Sequence, residues 1–213
     1  MANLITTIRF GLLFVLVVMA YRLDPIWQLV NAPLLALIFA LDGVDGYVAR
    51  RRGEESLFGS IFDIAADRVV ENVLWIVMVD LGFVPVWVAI VFITRGFLVD
   101  SIRSQAGKSG GTPFGMMRSV LGRWLVGGRF MRITYAVAKM LAFGWIFLIQ
   151  PWPSVFPTLW ASGAETFTLV KEVLVYLAVI LCIARGLPVV VEFVIREHGA
   201  LGLGPGARQQ RPQ

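Results

Sequence analysis

Six apolar runs of roughly twenty residues, the length a helix needs to cross a hydrocarbon core, lie at residues 4–21, 26–46, 59–81, 83–101, 132–149 and 173–195. Such runs leave the backbone little choice, because peptide groups in lipid must satisfy their hydrogen bonds internally, as an α-helix does. Composition agrees. Of the 213 residues 58% are hydrophobic and 15% charged, and a mean hydropathy of +0.78 is too high for one soluble core. The expectation is an all-α, polytopic integral membrane protein with six transmembrane helices. The apolar stretch after Arg9 lacks a small-residue cleavage site, so the first helix is expected to stay in the mature protein. Cys182, the single cysteine, sits in the sixth run, where it can form no intrachain disulfide and is read as a packing residue.

Lys and Arg are unevenly shared among the connections. Arg50, Arg51 and Arg52 follow the second run; Arg103, Lys108, Arg118, Arg123 and Arg129 follow the fourth; Arg196, Arg208 and Arg211 lie in the tail. The opposite connections hold Arg22 and Lys171. Positive-inside bias then puts both termini in the cytoplasm, in a bacterial-type inner membrane, and explains the net charge of +5 without nucleic acid. In the segment 105–131, Gly107, Gly110, Gly111 and Pro113 interrupt the chain before Arg118 and Arg123 alternate with apolar residues, a pattern expected of a cytoplasmic-side interfacial helix. Pro151, Pro153, Pro157, Trp152 and Trp160 mark residues 150–163 as an outer-face loop. Residues 1–196 form the membrane domain, and residues 197–213, rich in Gly, Pro, Gln and Arg, are expected to be a disordered cytoplasmic tail.

With this topology the charges inside the runs converge on one side of the membrane. Asp42 and Asp45 end the second run, Asp63, Asp67, Arg68 and Glu71 begin the third, and Lys139 lies early in the fifth. Arg95 and Arg185 each lie about 18 Å from the outer start of their helices at 1.5 Å per residue. Unrelated charges would scatter between leaflets; these suit a shared polar cavity. Snorkelling to headgroups is the alternative for Arg9, while the depth of Arg95, Lys139 and Arg185 favours an anion site.

Four carboxylates within 26 residues, Asp42, Asp45, Asp63 and Asp67, are costly at membrane depth. Spacings of three and four put each pair on one face of its helix, so both pairs can share one gap. Such a group needs cations, and hard oxygen ligands suit Mg²⁺ or Mn²⁺ rather than zinc. Two ions roughly 3.5–4 Å apart would clamp phosphoryl oxygens during an in-line displacement. Gly46, Ala49 and Gly59 would then clear room for a nucleotide and Arg50 would fork a phosphate, although small residues at close helix contacts have the same appearance. A membrane transporter using the acids as a cation path is the alternative of another class.

The pattern Asp42-x-x-Asp45-Gly46-x-x-Ala49-Arg50, eight residues, Gly59-x-x-x-Asp63-x-x-x-Asp67 resembles the full signature of the CDP-alcohol phosphotransferases. Asn3-x-x-Thr6-x-x-Arg9 resembles the opening of many members, where it helps hold the cytidine end. The likeness covers about residues 1–196. It implies transfer of a phosphatidyl group from CDP-diacylglycerol to an acceptor hydroxyl with release of CMP, in a homodimer with a cytoplasm-facing, lipid-accessible cavity. It also implies Asp42, Asp45 and Asp63 as metal ligands, Asp67 as general base near a second ion, and Asn3, Thr6, Gly46, Ala49, Arg50 and Gly59 at the CDP site. The segment from Arg95 to Arg103 and the later Ala138-Lys139-Met140 are loosely similar to phosphatidylglycerophosphate synthases, though a Gly-Lys-x-Lys-Thr stretch found there keeps only one lysine here. A phosphorylated acceptor, glycerol 3-phosphate first and inositol phosphate second, suits Arg95, Arg103, Lys139 and Arg185, since a dianion needs several cations.

Overall fold

The computed structural model of the protein describes residues 2–22, 24–52, 57–108 and 122–197. Every regular element among them is helical: α1 (Ala2–Ala20), α2 (Pro25–Gln28), α3 (Asn31–Arg52), α4 (Leu57–Asp80), α5 (Val86–Lys108), a π-helical segment (Arg123–Gly127), α6 (Arg129–Ile149), α7 (Trp152–Val155) and α8 (Pro157–Glu197). The all-α expectation holds, and a long helix lies over each of the six apolar runs. Three stretches, Pro25–Val44, Arg129–Val155 and Pro157–Ile195, are long and apolar enough to cross a membrane, and Leu4–Ala20 is a shorter apolar helix. The interfacial helix expected between the fourth and fifth runs falls largely on residues 109–121, and the tail on 198–213, both outside the described residues.

Two boundaries differ from the sequence reading, both for reasons of proline chemistry. The second run is divided. Asp24 caps α2, its carboxylate accepting from the Ile26 amide at 3.1 Å with Pro25 in the first turn, and α3 starts afresh at Asn31. The segment 150–163, read as a loop, is instead mostly helix. Pro153 falls in the first turn of α7 and Pro157 opens α8, positions where a missing N–H costs nothing because first-turn amides have no intrahelical partner. Only Phe156, with extended φ of −129°, separates the two. The 41 residues of α8 measure about 60 Å, roughly twice a hydrocarbon core.

The described residues divide into two compact units, one built from residues 1–90 with 137–178 and the other from residues 91–136 with the chain from 179. In the first, α1 packs on α3 and α4. Its buried stripe is Thr6, Arg9, Leu13, Leu16 and Ala20, the alternating three- and four-residue spacing of one helix face. Leu4, Ile8, Phe14, Val15 and Val18 face outward, as lipid-facing residues would. Asn31, Leu35 and Ile38 continue the pattern on α3. Buried Asn31 donates to Gln150 Oε1 at 2.9 Å, and Gln150 donates to the Ala20 carbonyl at 2.8 Å. Arg9 meets Asp42, so α1 and α3 run antiparallel and are tied at two levels about 16 Å apart. On α4, Trp75 packs against Phe143 of α6 with ring centroids 4.5 Å apart. Dispersion between close side chains, rather than escape from water, holds such contacts together in lipid.

In the second unit Val99, Ile102, Val126 and Val189 form a buried core with Leu125, Val190 and Phe193 packed against it. Arg185 ties this core to the π-helical segment and the start of α6 by donating to the carbonyls of Val126 at 3.3 Å and Met131 at 3.5 Å.

Candidate active site

The carboxylate site lies in the first unit, where three helices supply one residue or pair each. Asp42 lies one turn beyond Ile38 on α3, and Asp63 and Asp67 stand one turn apart on α4. One carboxylate oxygen of each lies within 4.8 Å of the others. Their side chains are 40%, 45% and 50% exposed respectively. The acids therefore open outward. Behind them stands Arg9 of α1, only 2% exposed, with Nη1 2.6 Å from Asp42 Oδ1 and 3.6 Å from Asp63 Oδ1, and Nη2 3.0 Å from Asp67 Oδ1.

This donor set fits a divalent ion. It is all oxygen, carries three negative charges against one guanidinium, and brings the ligand atoms close enough to share a cation, which favours Mg²⁺ or Mn²⁺ over metals that seek nitrogen or sulfur. Spacing within each helix had grouped these acids, and the structure brings Asp42, Asp63 and Asp67 together. Asp45, Gly46, Ala49 and Arg50 lie on the last turns of α3 and Asn3 on the first turn of α1, with side-chain surroundings outside the described residues. Gly59 stands on α4 one turn before Asp63, and buried Thr6 stands on α1 just before Arg9.

Further along α4, on the face that carries Asp63 and Asp67, comes Glu71. It accepts from Lys139 Nζ of α6 at 2.8 Å and from Arg68 Nη1 at 3.1 Å. Lys139 thus has an acid partner on a neighbouring helix.

The second unit gathers the remaining cations expected to bind anions. The guanidinium carbons of Arg95 and Arg185 lie 5.4 and 5.3 Å from the centroid of the Tyr135 ring, and the ring of Phe92 stacks parallel to it with centroids 6.5 Å apart. Both arginines keep a buried Nε that makes no hydrogen bond, and among the described residues neither makes an ion pair. Half-buried Arg103 belongs to the same unit. Gly186 makes room for Arg95: a β-carbon there would sit 2.5 Å from Arg95 Cγ.

Glu71, Tyr135 and Gly186 complete these clusters although spacing did not mark them as site residues, and Arg9, which the Asn3-x-x-Thr6-x-x-Arg9 likeness places toward the cytidine end, contacts the acids. For Arg9 the signal was present, since it occupies the Thr6–Leu13–Leu16–Ala20 stripe that marks the inner face of α1.

A family model described as CDP-alcohol phosphatidyltransferase matches residues 1–184. Among curated proteins, the chain is 34% identical over 79 residues to a CDP-diacylglycerol--glycerol-3-phosphate 3-phosphatidyltransferase of Bacillus subtilis, covering 37% of this chain and 41% of that protein. A protein of the same name from Rickettsia bellii is 27% identical over 101 residues, 47% of this chain and 56% of that one. An archaetidylinositol phosphate synthase of Methanothermobacter thermautotrophicus is 30% identical over 122 residues, 57% of this chain and 56% of that one. The matched stretches thus span about half the length of these relatives.

Proposed function

Because this chain belongs to the CDP-alcohol phosphatidyltransferase family, we propose that it moves a phosphatidyl group from CDP-diacylglycerol to the hydroxyl of glycerol 3-phosphate and releases CMP. The observation that carries this reading is the convergence of Asp42, Asp63 and Asp67 from two helices onto one outward-open site. In the reaction the acceptor oxygen forms a bond to the phosphatidyl phosphorus, the bond from that phosphorus to the CMP oxygen breaks, and CMP leaves with the electron pair. The acceptor's proton passes to Asp67, the most exposed carboxylate of the three.

Asp42, Asp63 and Asp67, with Asp45, would hold one or two Mg²⁺ or Mn²⁺ ions, which supply charge neutralisation at the phosphoryl oxygens. Asn3, Thr6, Gly46, Ala49, Arg50 and Gly59 bind the CDP end. The acceptor's phosphate is held by some of Arg95, Arg103, Lys139 and Arg185. Buried Nε atoms of Arg95 and Arg185 without hydrogen-bond partners support this role, because an unsatisfied buried donor is costly until an anion meets it. The enzyme works as an integral membrane homodimer with both termini and the site on the cytoplasmic side.

Inositol phosphate is the second acceptor to weigh, since the archaeal relative bears the name of an archaetidylinositol phosphate synthase. Mass spectrometry of the lipid formed from CDP-diacylglycerol in the presence of glycerol 3-phosphate, inositol phosphate, glycerol, inositol or serine decides among them. Phosphatidylglycerol phosphate is the expected product. Equal turnover of an unphosphorylated alcohol would refute a phosphate-binding acceptor site, and no CMP release with any acceptor would refute transferase activity and revive a cation path.

A further inference from the structure

Three carboxylates from two helices repel one another, and the buried guanidinium of Arg9 opposes that repulsion. Arg9 Nη1 contacts Asp42 of α3 at 2.6 Å and Nη2 contacts Asp67 of α4 at 3.0 Å, while Asp63 Oδ1 lies 3.6 Å from Nη1, at ion-pair rather than hydrogen-bond distance, so one planar fork on α1 faces all three. A guanidinium stays charged at any pH the protein meets, and its geometry suits two-sided contact with carboxylates in a way a lysine cannot match. Its burial keeps the charge close and poorly screened.

On the reading that these acids bind a divalent ion, we propose that Arg9 is a positioning residue for the metal site. It fixes the spacing of Asp42, Asp63 and Asp67, and its permanent positive charge holds the divalent affinity of the site below what the carboxylates alone would give. Two effects therefore oppose each other when Arg9 is lost: the acids become less ordered, and the ion no longer feels a buried positive charge behind its ligands. Charge decides the sign of the net effect, because repulsion between the buried guanidinium and a divalent ion sharing its carboxylate partners outweighs the rotamer freedom of three short side chains.

The test is Mn²⁺ binding to the purified full-length protein without substrates, followed through the electron paramagnetic resonance signal of free Mn²⁺, with melting temperature in EDTA and in saturating Mn²⁺ as the second readout. Arg9→Gln should bind Mn²⁺ about ten-fold or more tightly than wild type. Its melting temperature should fall in EDTA and recover by a larger increment than wild type when Mn²⁺ is added. Arg9→Lys keeps the charge and should stay within about three-fold of wild-type affinity. A purely structural arginine would instead weaken binding on substitution, so unchanged or weaker affinity in Arg9→Gln overturns the proposal. If Arg9→Gln folds only with Mn²⁺ present, that rescue is the compensation expected; if it folds in neither condition, a loss beyond about ten-fold in Arg9→Lys overturns the proposal. Mn²⁺ binding that is absent from wild type, or unaffected by Asp63→Asn, refutes the metal reading itself and is distinguishable from every outcome above.

Discussion

Asp67 and Asp63 stand one helical turn apart on α4 and both face Arg9, yet Asp67 is the more exposed. An outward carboxylate within reach of an arriving hydroxyl is placed to receive its proton. Asp67→Asn keeps the shape and removes the basicity. Turnover is expected to fall by roughly 10²–10⁴ while CDP-diacylglycerol binding and the fold persist; turnover within a few-fold of wild type would assign the proton to another acceptor. Lys139 makes a second residue-level case. Removing it leaves Glu71 still paired with Arg68, so folding should survive. Lys139→Ala is expected to raise the KM for glycerol 3-phosphate by about ten-fold, the worth of one charge-assisted hydrogen bond, with little change in the KM for CDP-diacylglycerol. The reverse pattern would place Lys139 at the donor. The acids were legible in the chain because i,i+3 and i,i+4 spacing within a helix is a local property. The Arg9 contacts and the Glu71–Lys139 pair join residues on different helices, and no local spacing encodes which helices become neighbours.

At the scale of elements, runs of apolar residues located every long helix but not every end. Prolines between the fifth and sixth runs suggest a loop from sequence, whereas they start α7 and α8, because a proline's effect depends on which turn it occupies. The polar tie of Asn31 through Gln150 to the end of α1 was equally hidden, being a contact between residues 119 positions apart. Gly186 shows how an element interior can carry specificity. Its missing side chain admits Arg95, and the clash that a β-carbon would make falls at Arg95 Cγ, close to the base of that side chain rather than at its flexible end. Gly186→Ala should therefore displace Arg95 from the Tyr135 ring and raise the acceptor KM by roughly two- to thirty-fold, the range spanned by a lost cation–π contact of ~0.5–2 kcal/mol. Helix content by circular dichroism should be unchanged. An unaltered acceptor KM would remove Arg95 from the acceptor site.

For the whole molecule, the distribution of Lys and Arg and the placement of the acids make one connected claim about sidedness. Positive-inside bias assigns the tail to the cytoplasm and the α6–α8 connection to the outside. Cys182 is fully buried, so single added cysteines can be labelled against a silent background. In right-side-out vesicles Ser154→Cys is expected to react with a membrane-impermeant maleimide and Gln213→Cys to stay protected; the opposite result would invert the topology. The central claim, that Asp42, Asp63 and Asp67 form a divalent-dependent phosphatidyl-transfer centre, is tested most directly by CMP release from CDP-diacylglycerol and glycerol 3-phosphate in liposomes carrying the purified protein. EDTA should abolish release, Mg²⁺ or Mn²⁺ should restore it, and Asp63→Asn should stay inactive with either ion; full CMP release in EDTA, or from Asp63→Asn, would contradict it.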